Sequence, residues 1–447
     1  MKRKIFVRLG RDDVKPAYDA ADITIDMIDN FGALDRGLGQ LLDRLFKLGA
    51  KPSEAAVDLM ILAAAVYAAD TGVSRERYAD DGWTRMIDLN VPVAEAGFWK
   101  NQQDHLSQML KFLTGDHWSF TFRHRPNNFQ TFTKQPEKMD LTDFTQVSLF
   151  SGGLDSLIGA IDLLASGQRP LLVSHYWDGE ASSAQRQLLE VLKERHGDAF
   201  ESVRAYIGFR KLDFAEAGSD NNQRARSFLF YSLAVVAADA VASTNKVLIP
   251  ENGLIALNVP MDAHRLGSLS TRTAHPHFIR SMSELVNALG IDVTLENPYR
   301  FKTKGEMARE CKDRDLLAEL APASMSCSHP AQVRFEGAQP QHCGRCVPCL
   351  IRRASLAAGL VETDTTQYFL DDLKGSVLDS KSADGKNIRS FMFAAENLRQ
   401  NPGRARFLVQ KPGPLNHDDL DAYVGVYRRG MEEVSEILRG VRAKHVG

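Results

Sequence analysis

Two short stretches hold most of the residues able to do chemistry. Residues 147–156 read VSLFSGGLDS, an apolar run feeding directly into small polar residues and glycines. Gly152 and Gly153 permit backbone conformations closed to other residues and let a ligand approach the main chain. Ser151 and Ser156 add hydroxyls. Leu157, Ile158, Ile161 and Leu164 then recur on one face, which predicts a helix whose first N–H groups and positive dipole end point into the loop. The combination is a cradle for an anion, and the expected anion is phosphate. It is not the usual mononucleotide loop, because no G-x-x-x-x-G-K-[ST] occurs, nor a nucleophile elbow, because Leu149 stands where the first glycine belongs. The GLG at 37–39 lacks the third glycine and the strand context of a dinucleotide fingerprint.

The second stretch, CGRCVPC, sets Cys343, Cys346 and Cys349 at two successive C-x-x-C spacings, with Cys327 upstream in SMSCSHP. Four thiolates suit a closed tetrahedral Zn²⁺ site, structural because no position stays open for chemistry. An iron–sulfur cluster is the other metal reading, and buried free thiols the metal-free one. The fifth cysteine, Cys311, reads as packing.

These residues need elements to hold them. QVSLF, LLVSH, VRAYI, KVLIP and IDVTL are short apolar runs separated by helix-like segments, a rhythm that predicts parallel strands with right-handed crossovers. The fold class expected is therefore α/β, a doubly wound, mostly parallel sheet with the glycine loop at the carboxyl end of its first strand. Before it, KIFVRL, MIDLNVPV and HWSFTFR read as strands among helices, an α+β unit. SEAAVDLMILAAAVYAAD predicts a helix capped by Ser53, and its apolar stretch at 59–69 is too short to span a bilayer, so it reads as a core helix. Residues 124–140 are polar and rich in turn formers, which suggests a linker. The expected division is an N-terminal α+β domain with linker (1–140), a nucleotide domain (141–325), a four-cysteine zinc module (326–360) and a C-terminal helical region (361–447).

The chain's 447 residues are 44% apolar and 25% charged, with a net charge of −2. That balance argues against non-specific binding to nucleic acid or anionic membranes, and the N-terminal MKRKIFVRLG is too short in apolar residues for a signal peptide. A cytoplasmic protein that uses no membrane is expected, and nucleic acid is not implied.

Ser-Gly-Gly-x-Asp-Ser after the first sheet strand resembles the pyrophosphatase loop of N-type ATP pyrophosphatases, the PP-loop, adenine nucleotide alpha hydrolase-like fold. Together with Cys…Cys-x-x-Cys-x-x-Cys and LIRRASL, it makes residues 146–360 resemble the QueC, or 7-cyano-7-deazaguanine synthase, family. The resemblance implies ATP cleavage between the α- and β-phosphates, with AMP passing to a carboxylate of the 7-carboxy-7-deazaguanine kind. It implies that Ser151, Gly152, Gly153, Leu154, Asp155 and Ser156 hold the pyrophosphate and that Asp155 helps to place Mg²⁺. RARSFLFYSLAVVAADA stands where the family has an arginine loop entering a helix, which points to Arg226 as a phosphate or nucleotide ligand. NPYRFKTKGEMA resembles the family's Lys-x-Glu segment, with Lys304 neutralising phosphates.

The sequence also departs from the family. The arginine loop lacks its Pro-Gly, HYWDGE replaces an Asn-Tyr-Gly-Gln-like stretch, and SLSTRTAHPHF, with Arg272, Thr273, His275 and His277, replaces Tyr-Pro-Asp-Cys-Arg. The histidines read as hydrogen-bonding groups, with metal binding the alternative. The long N-terminal addition gives the chain the layout of the QatC type found in bacterial anti-phage (Qat) systems. That layout implies a ligase which attaches a deazaguanine-type acid to an amine on a partner protein from the same defence operon. The alternatives are a free 7-cyano-7-deazaguanine synthase, a tRNA-thiolating enzyme, or a non-catalytic scaffold.

Overall fold

The computed structural model describes residues 2–14, 23–135, 143–176, 178–209, 214, 218–220, 223–241, 243–261, 272–360 and 365–444. Every strand pairing among them is parallel. The architecture is α/β, built on two larger sheets.

The first sheet holds β1 (Arg3–Arg8), β2 (Ile23–Asp26), β3 (Met86–Val93) and β4 (His117–His124) in the order β2-β1-β3-β4. Between β2 and β3 lie α1 (Leu38–Lys47), α2 (Glu54–Gly72) and α3 (Arg75–Tyr78); α4 (Ala96–Asn101) and α5 (Gln103–Thr114) precede β4. This corrects the α+β expectation for the N-terminal region. From β2 onward its strands alternate with helices in sequence, and parallel neighbours require such crossovers.

The second sheet contains β5 (Gln146–Leu149), β6 (Pro170–Tyr176), β7 (Glu201–Tyr206), β8 (Lys246–Leu248) and β9 (Thr294–Glu296), in the order β7-β6-β5-β8-β9. Its helices are α6 (Leu154–Ala165), α7 (Gly179–His196), α8 (Arg226–Val241), α9 (Gly253–Leu257) and α10 (Pro276–Ala288). The chain winds outward from β5 to β7, then returns through α8 to place β8 on the other side of β5. The order of winding therefore reverses between β5 and β8, where open α/β sheets bind ligands.

Both faces of this sheet are covered, as its near-continuous apolar strands require. Leu172 of β6 packs in the cluster with Leu157, Ile161 and Leu188 of α6 and α7. Leu171 and Val173, pointing the opposite way, pack with α8 and α2. Helices α2 and α8 are apolar all round and pack on each other, which is the pattern of a helix buried on every side. Their many alanines allow close approach. One apolar core thus runs from Ile5 to Leu295 through both sheets.

Residues 124–135 are not a free linker. The Arg125 side chain is buried against Asp58 and Glu54, and Glu54 Oε1 accepts from the backbone N–H groups of Phe132 (3.0 Å) and Thr133 (2.9 Å). Residues 136–140 of the expected linker lie outside the described residues.

Downstream come α11 (Lys304–Arg309), α12 (Arg314–Leu320), α13 (Val347–Gly359), α14 (Ala383–Gln400), α15 (Ala405–Leu408) and α16 (Leu420–Leu438). The C-terminal region also contains a parallel pair not anticipated from the sequence, β10 (Val377–Asp379) with β11 (Arg442–Lys444). A second core joins α14 and α16 to α9 and α13.

Candidate functional site

The 151–156 loop leaves β5 through Phe150, whose N–H donates to Val173 O at 2.8 Å, and enters α6 at Leu154. Gly152 has φ +82°, and a Cβ there would sit 3.0 Å from Gln185 Cγ and 3.2 Å from its backbone N. Only glycine fits. Gly153 differs from the expectation: its φ of −86° and ψ of 168° are ordinary extended values. A Cβ there would meet Ser151 Oγ at 3.4 Å and Met325 O at 3.5 Å, ordinary contact distances, so this position does not require glycine. Ser151 Oγ lies 3.1 Å from Ser156 Oγ and accepts from Gly153 N–H at 3.3 Å.

Asp155, in the first turn of α6, points inward and is buried. Its Oδ2 accepts from the backbone N–H (3.1 Å) and Nδ2 (2.7 Å) of Asn252, and Oδ1 lies 3.0 Å from Lys304 Nζ. Asn252 is placed by capping α9, where its Oδ1 accepts from Ile255 N–H. Lys304 is placed by the capping box of Thr303 and Glu306 that opens α11. Glu251, next to Asn252, completes the group, with Asn252 Nδ2 donating to Glu251 Oε1 at 3.2 Å. Burial and the Asp155 charge push the Glu251 carboxyl well above its usual range. Burial also opposes ionisation of Asp155, but the Lys304 ammonium and hydrogen bonds from Glu251 and Asn252 hold it below its usual value. The result is a carboxylate held ionised beside an ammonium and a carboxyl whose own ionisation is disfavoured, at the reversal point between β5 and β8.

Arg226 is the first residue of α8. Its Nη2 donates to His175 O at 3.4 Å, while its Nε and the neighbouring Ser227 Oγ are buried with no hydrogen-bond partner among the described residues. Gln185 Nε2 donates both to His175 O and to Ser151 O, each at 3.2 Å, so it bridges the arginine's surroundings to the glycine loop. His175 is fully buried, and burial together with Arg226 pushes its imidazole down to about 3, leaving it neutral. Donors at a helix N-terminus with no acceptor of their own suit an oxyanion.

Cys327, Cys343, Cys346 and Cys349 form a cluster with all four Sγ atoms within 4.8 Å of one another. The Cys327–Cys346 and Cys343–Cys349 sulfur separations are both 3.9 Å. A tetrahedral zinc with Zn–S bonds of about 2.3 Å needs edges of about 3.8 Å, so the cluster fits zinc. Backbone N–H groups of Cys346 and His329 point at Cys343 Sγ and Cys327 Sγ, at 3.3 and 3.4 Å, as suits thiolates. Cys311 stands apart, buried beyond α11.

The cluster touches the loop. Met325 N–H donates to Gly152 O (2.8 Å), and Ser326 Oγ accepts from Leu154 N–H (3.3 Å). Cys327 follows immediately.

The structure therefore brings Asp155 and Lys304 into contact, places Arg226 one bridging amide from the loop, and gathers the four cysteines behind it. His275 and His277 join no metal-ligand cluster among the described residues. His275 caps α10, accepting from His277 N–H at 3.1 Å, and both rings pack on Phe112. Sequence reasoning missed Glu251, Asn252, Gln185 and Ser326. Glu251 and Asn252 carried a usable signal, since PENG follows KVLI directly and strand carboxyl ends are where such sheets bind ligands. Gln185 lies mid-helix and Ser326 in a loop, with no signal of their own. Comparison with protein-family models and with curated proteins finds no match to this chain.

Proposed function

We propose that the chain is an ATP-dependent ligase of the QueC-like PP-loop kind. It adenylates a 7-carboxy-7-deazaguanine-like acid, releases pyrophosphate, and passes the acyl group to an amine on a partner protein of an anti-phage defence operon. The observation that carries this reading is the convergence of the 151–156 loop with Asp155, Glu251 and Lys304 where the sheet reverses its winding.

In the first step a carboxylate oxygen attacks the α-phosphorus of ATP, and the bond from that phosphorus to the α,β-bridging oxygen breaks. Negative charge moves onto the departing pyrophosphate, where the N–H groups opening α6 and the Lys304 ammonium stabilise it. Arg226 and Ser227 offer their open donors to a phosphate oxygen. In the second step the amine nitrogen attacks the acyl carbon, AMP leaves with the bonding pair, and the surplus amine proton passes to water.

Asp155 Oδ1 faces Lys304 Nζ at 3.0 Å, and Asp155 and Glu251, once Glu251 gives up its proton, would together form an oxygen set suited to a hard cation. Mg²⁺ bound there would neutralise phosphate charge. Zn²⁺ held by the four cysteines would have a structural role, since four thiolates would leave a tetrahedral ion no position open for chemistry.

Product analysis tests the reading. With ATP, Mg²⁺ and 7-carboxy-7-deazaguanine, the protein should form AMP and pyrophosphate in an acid-dependent manner. Lys304→Ala should slow this by about 10²–10³-fold, the usual loss when one donor to developing charge is removed. Formation of ADP and phosphate would rule the reading out.

A further inference from the structure

Helix α16 lies behind the Asp155 group and touches both short helices that reach it. Val426, Gly430 and Glu433 recur at i, i+4 and i+7, so they share one face of α16. The first part of that face backs α9. A Cβ on Gly253 would lie 2.9 Å from Val426 Cγ2, and one on Gly430 would lie 2.8 Å from Leu254 Cδ2. Asn252, which caps α9, is the residue that donates twice to Asp155.

The rest of the face holds the first turn of α11. The Thr303 hydroxyl donates to Glu433 Oε1, and Gly305 N–H donates to Glu433 Oε2 at 3.3 Å. Gly305 has no positive φ, so its backbone conformation does not demand glycine. Space does: a Cβ there would lie 2.5 Å from Glu433 Oε1. One turn earlier on α16, Arg429 Nε donates to Glu306 Oε1 at 2.6 Å, and Arg429 Nη2 donates to Phe301 O at 2.8 Å.

These ties converge on the capping box. Thr303 N–H donates to Glu306 Oε2 at 2.8 Å, and Glu306 N–H donates to Thr303 Oγ1 at 3.0 Å. An ordinary capping box is complete in itself. Here each of its two side chains has a further partner on α16.

Lys304 sits between the two members of the box. Its side chain is buried, with the ammonium 3.0 Å from Asp155 Oδ1. Met307 and Ala308 anchor the far end of α11 in the core it shares with α6. The first turn has polar ties instead, and a helix of six residues cannot hold itself rigid. Misplacing a group that must meet developing charge by about 1 Å can cost about 100-fold in rate.

We propose that Glu433 and Arg429 of α16 are positioning residues for Lys304. They fix the first turn of α11 so that the ammonium stays at the 151–156 loop, and through them the C-terminal region governs how well that loop holds a phosphate group. The task given to Lys304 rests on the ligase reading; its being held from α16 does not.

The test is a double-mutant cycle on the full chain, read by calorimetry with inorganic pyrophosphate. Lys304→Met removes the ammonium and keeps its stem. Glu433→Ala with Arg429→Ala removes the ties, while Tyr427, Met431 and Val434 keep α16 in its core; Glu433→Ala alone is the milder variant. Lys304→Met should weaken pyrophosphate binding by about 10–100-fold, as loss of a hydrogen bond to a charged group does. Removing the ties should weaken it by about tenfold, a size usual for groups coupled in one network. Made in the Lys304→Met background, the same change should cost less than about twofold further, because the ties act through the ammonium. Glu436→Ala breaks an exposed pair with Arg439 on the same helix and should bind as the wild type does. A merely structural tie would lower the melting temperature in both backgrounds and leave the affinity alone.

The proposal is overturned if the wild type binds no pyrophosphate, if the variants without ties bind it as the wild type does, or if their loss is as large in Lys304→Met as in the wild type. Reaction products separate this from the ligase reading. Independent losses in a protein that forms AMP and pyrophosphate remove the α16 ties alone. Coupled losses in a protein that forms ADP and phosphate remove the ligase alone.

Discussion

Glu251 holds its proton to a higher pH than a free glutamate, because it is buried beside the ionised Asp155. Its folded-state pKa is raised, so in the window above about 4.5 the native protein binds a proton that the unfolded chain has released. The contribution to stability is fully present below that pH and declines as pH rises towards the folded value. Urea unfolding from about pH 5 to about pH 8 should therefore show the wild type losing stability relative to Glu251→Gln, whose amide keeps a donor beside Asp155 without titrating. Parallel pH profiles for the two proteins would remove Glu251 from the account. The residue also shows where sequence reading stops. Ser151–Gly–Gly and the cysteine spacing are local patterns with fixed chemistry, so they were legible. A single glutamate after a strand is not, because its meaning comes from Asp155 and Lys304, which only the fold brings to it.

At the scale of elements, the joint between the two sheets is a buried group of charges. Arg85, at the entrance to β3, donates to Asp70 Oδ1 (2.6 Å) and Asp116 Oδ2 (2.7 Å), and both aspartates are fully buried. Arg75 donates to Asp116 Oδ1 at 2.7 Å. Asp70 Oδ2 accepts from Ala225 N–H at 2.8 Å, one residue before Arg226, so this group also sets the start of α8. Removing one partner from such a cluster leaves an uncompensated charge, at a cost of about 3–5 kcal/mol. Arg85→Met should lower the unfolding free energy by about that amount in urea titrations. A loss below about 1 kcal/mol, typical of an exposed pair, would contradict the geometry. Helices and strands here were largely legible from periodicity, including the Ser53 cap and the apolar α2. The parallel arrangement of the first sheet was not. Its edge strand β4 exposes alternate residues, and that alternation resembles a half-solvated antiparallel strand. The three-residue β10 and β11 are too short to show any period.

For the whole molecule, the shared core means that the first sheet with its helices is one body with the second sheet and not a detachable addition, since α2 covers α8. The C-terminal region is joined as closely. Val426 of α16 packs so tightly on Gly253 that a Cβ there would lie 2.9 Å from it, and Glu433 accepts from Gly305 N–H. The four-cysteine centre sits between these parts, with Met325 and Ser326 reaching the glycine loop. Metal bound to such a site contributes its binding energy to folding, about 10–16 kcal/mol in small zinc modules. Elemental analysis should find about one zinc per chain. Cys343→Ser should lower both zinc content and melting temperature and weaken pyrophosphate binding as the 325–326 contacts loosen. Native protein without metal and with every thiol freely titrating would contradict that role.

The central claim is that a carboxylate is activated by adenylation. Its most direct test is to supply the acid with heavy oxygen in its carboxylate, together with ATP and the partner amine, and to weigh the AMP formed. Attack on the α-phosphorus leaves one carboxylate oxygen bound to that phosphorus, and acyl transfer then carries it away with AMP. The account predicts AMP heavier by one labelled oxygen for each acyl group transferred. Unlabelled AMP, or label appearing in inorganic phosphate beside ADP, would contradict it.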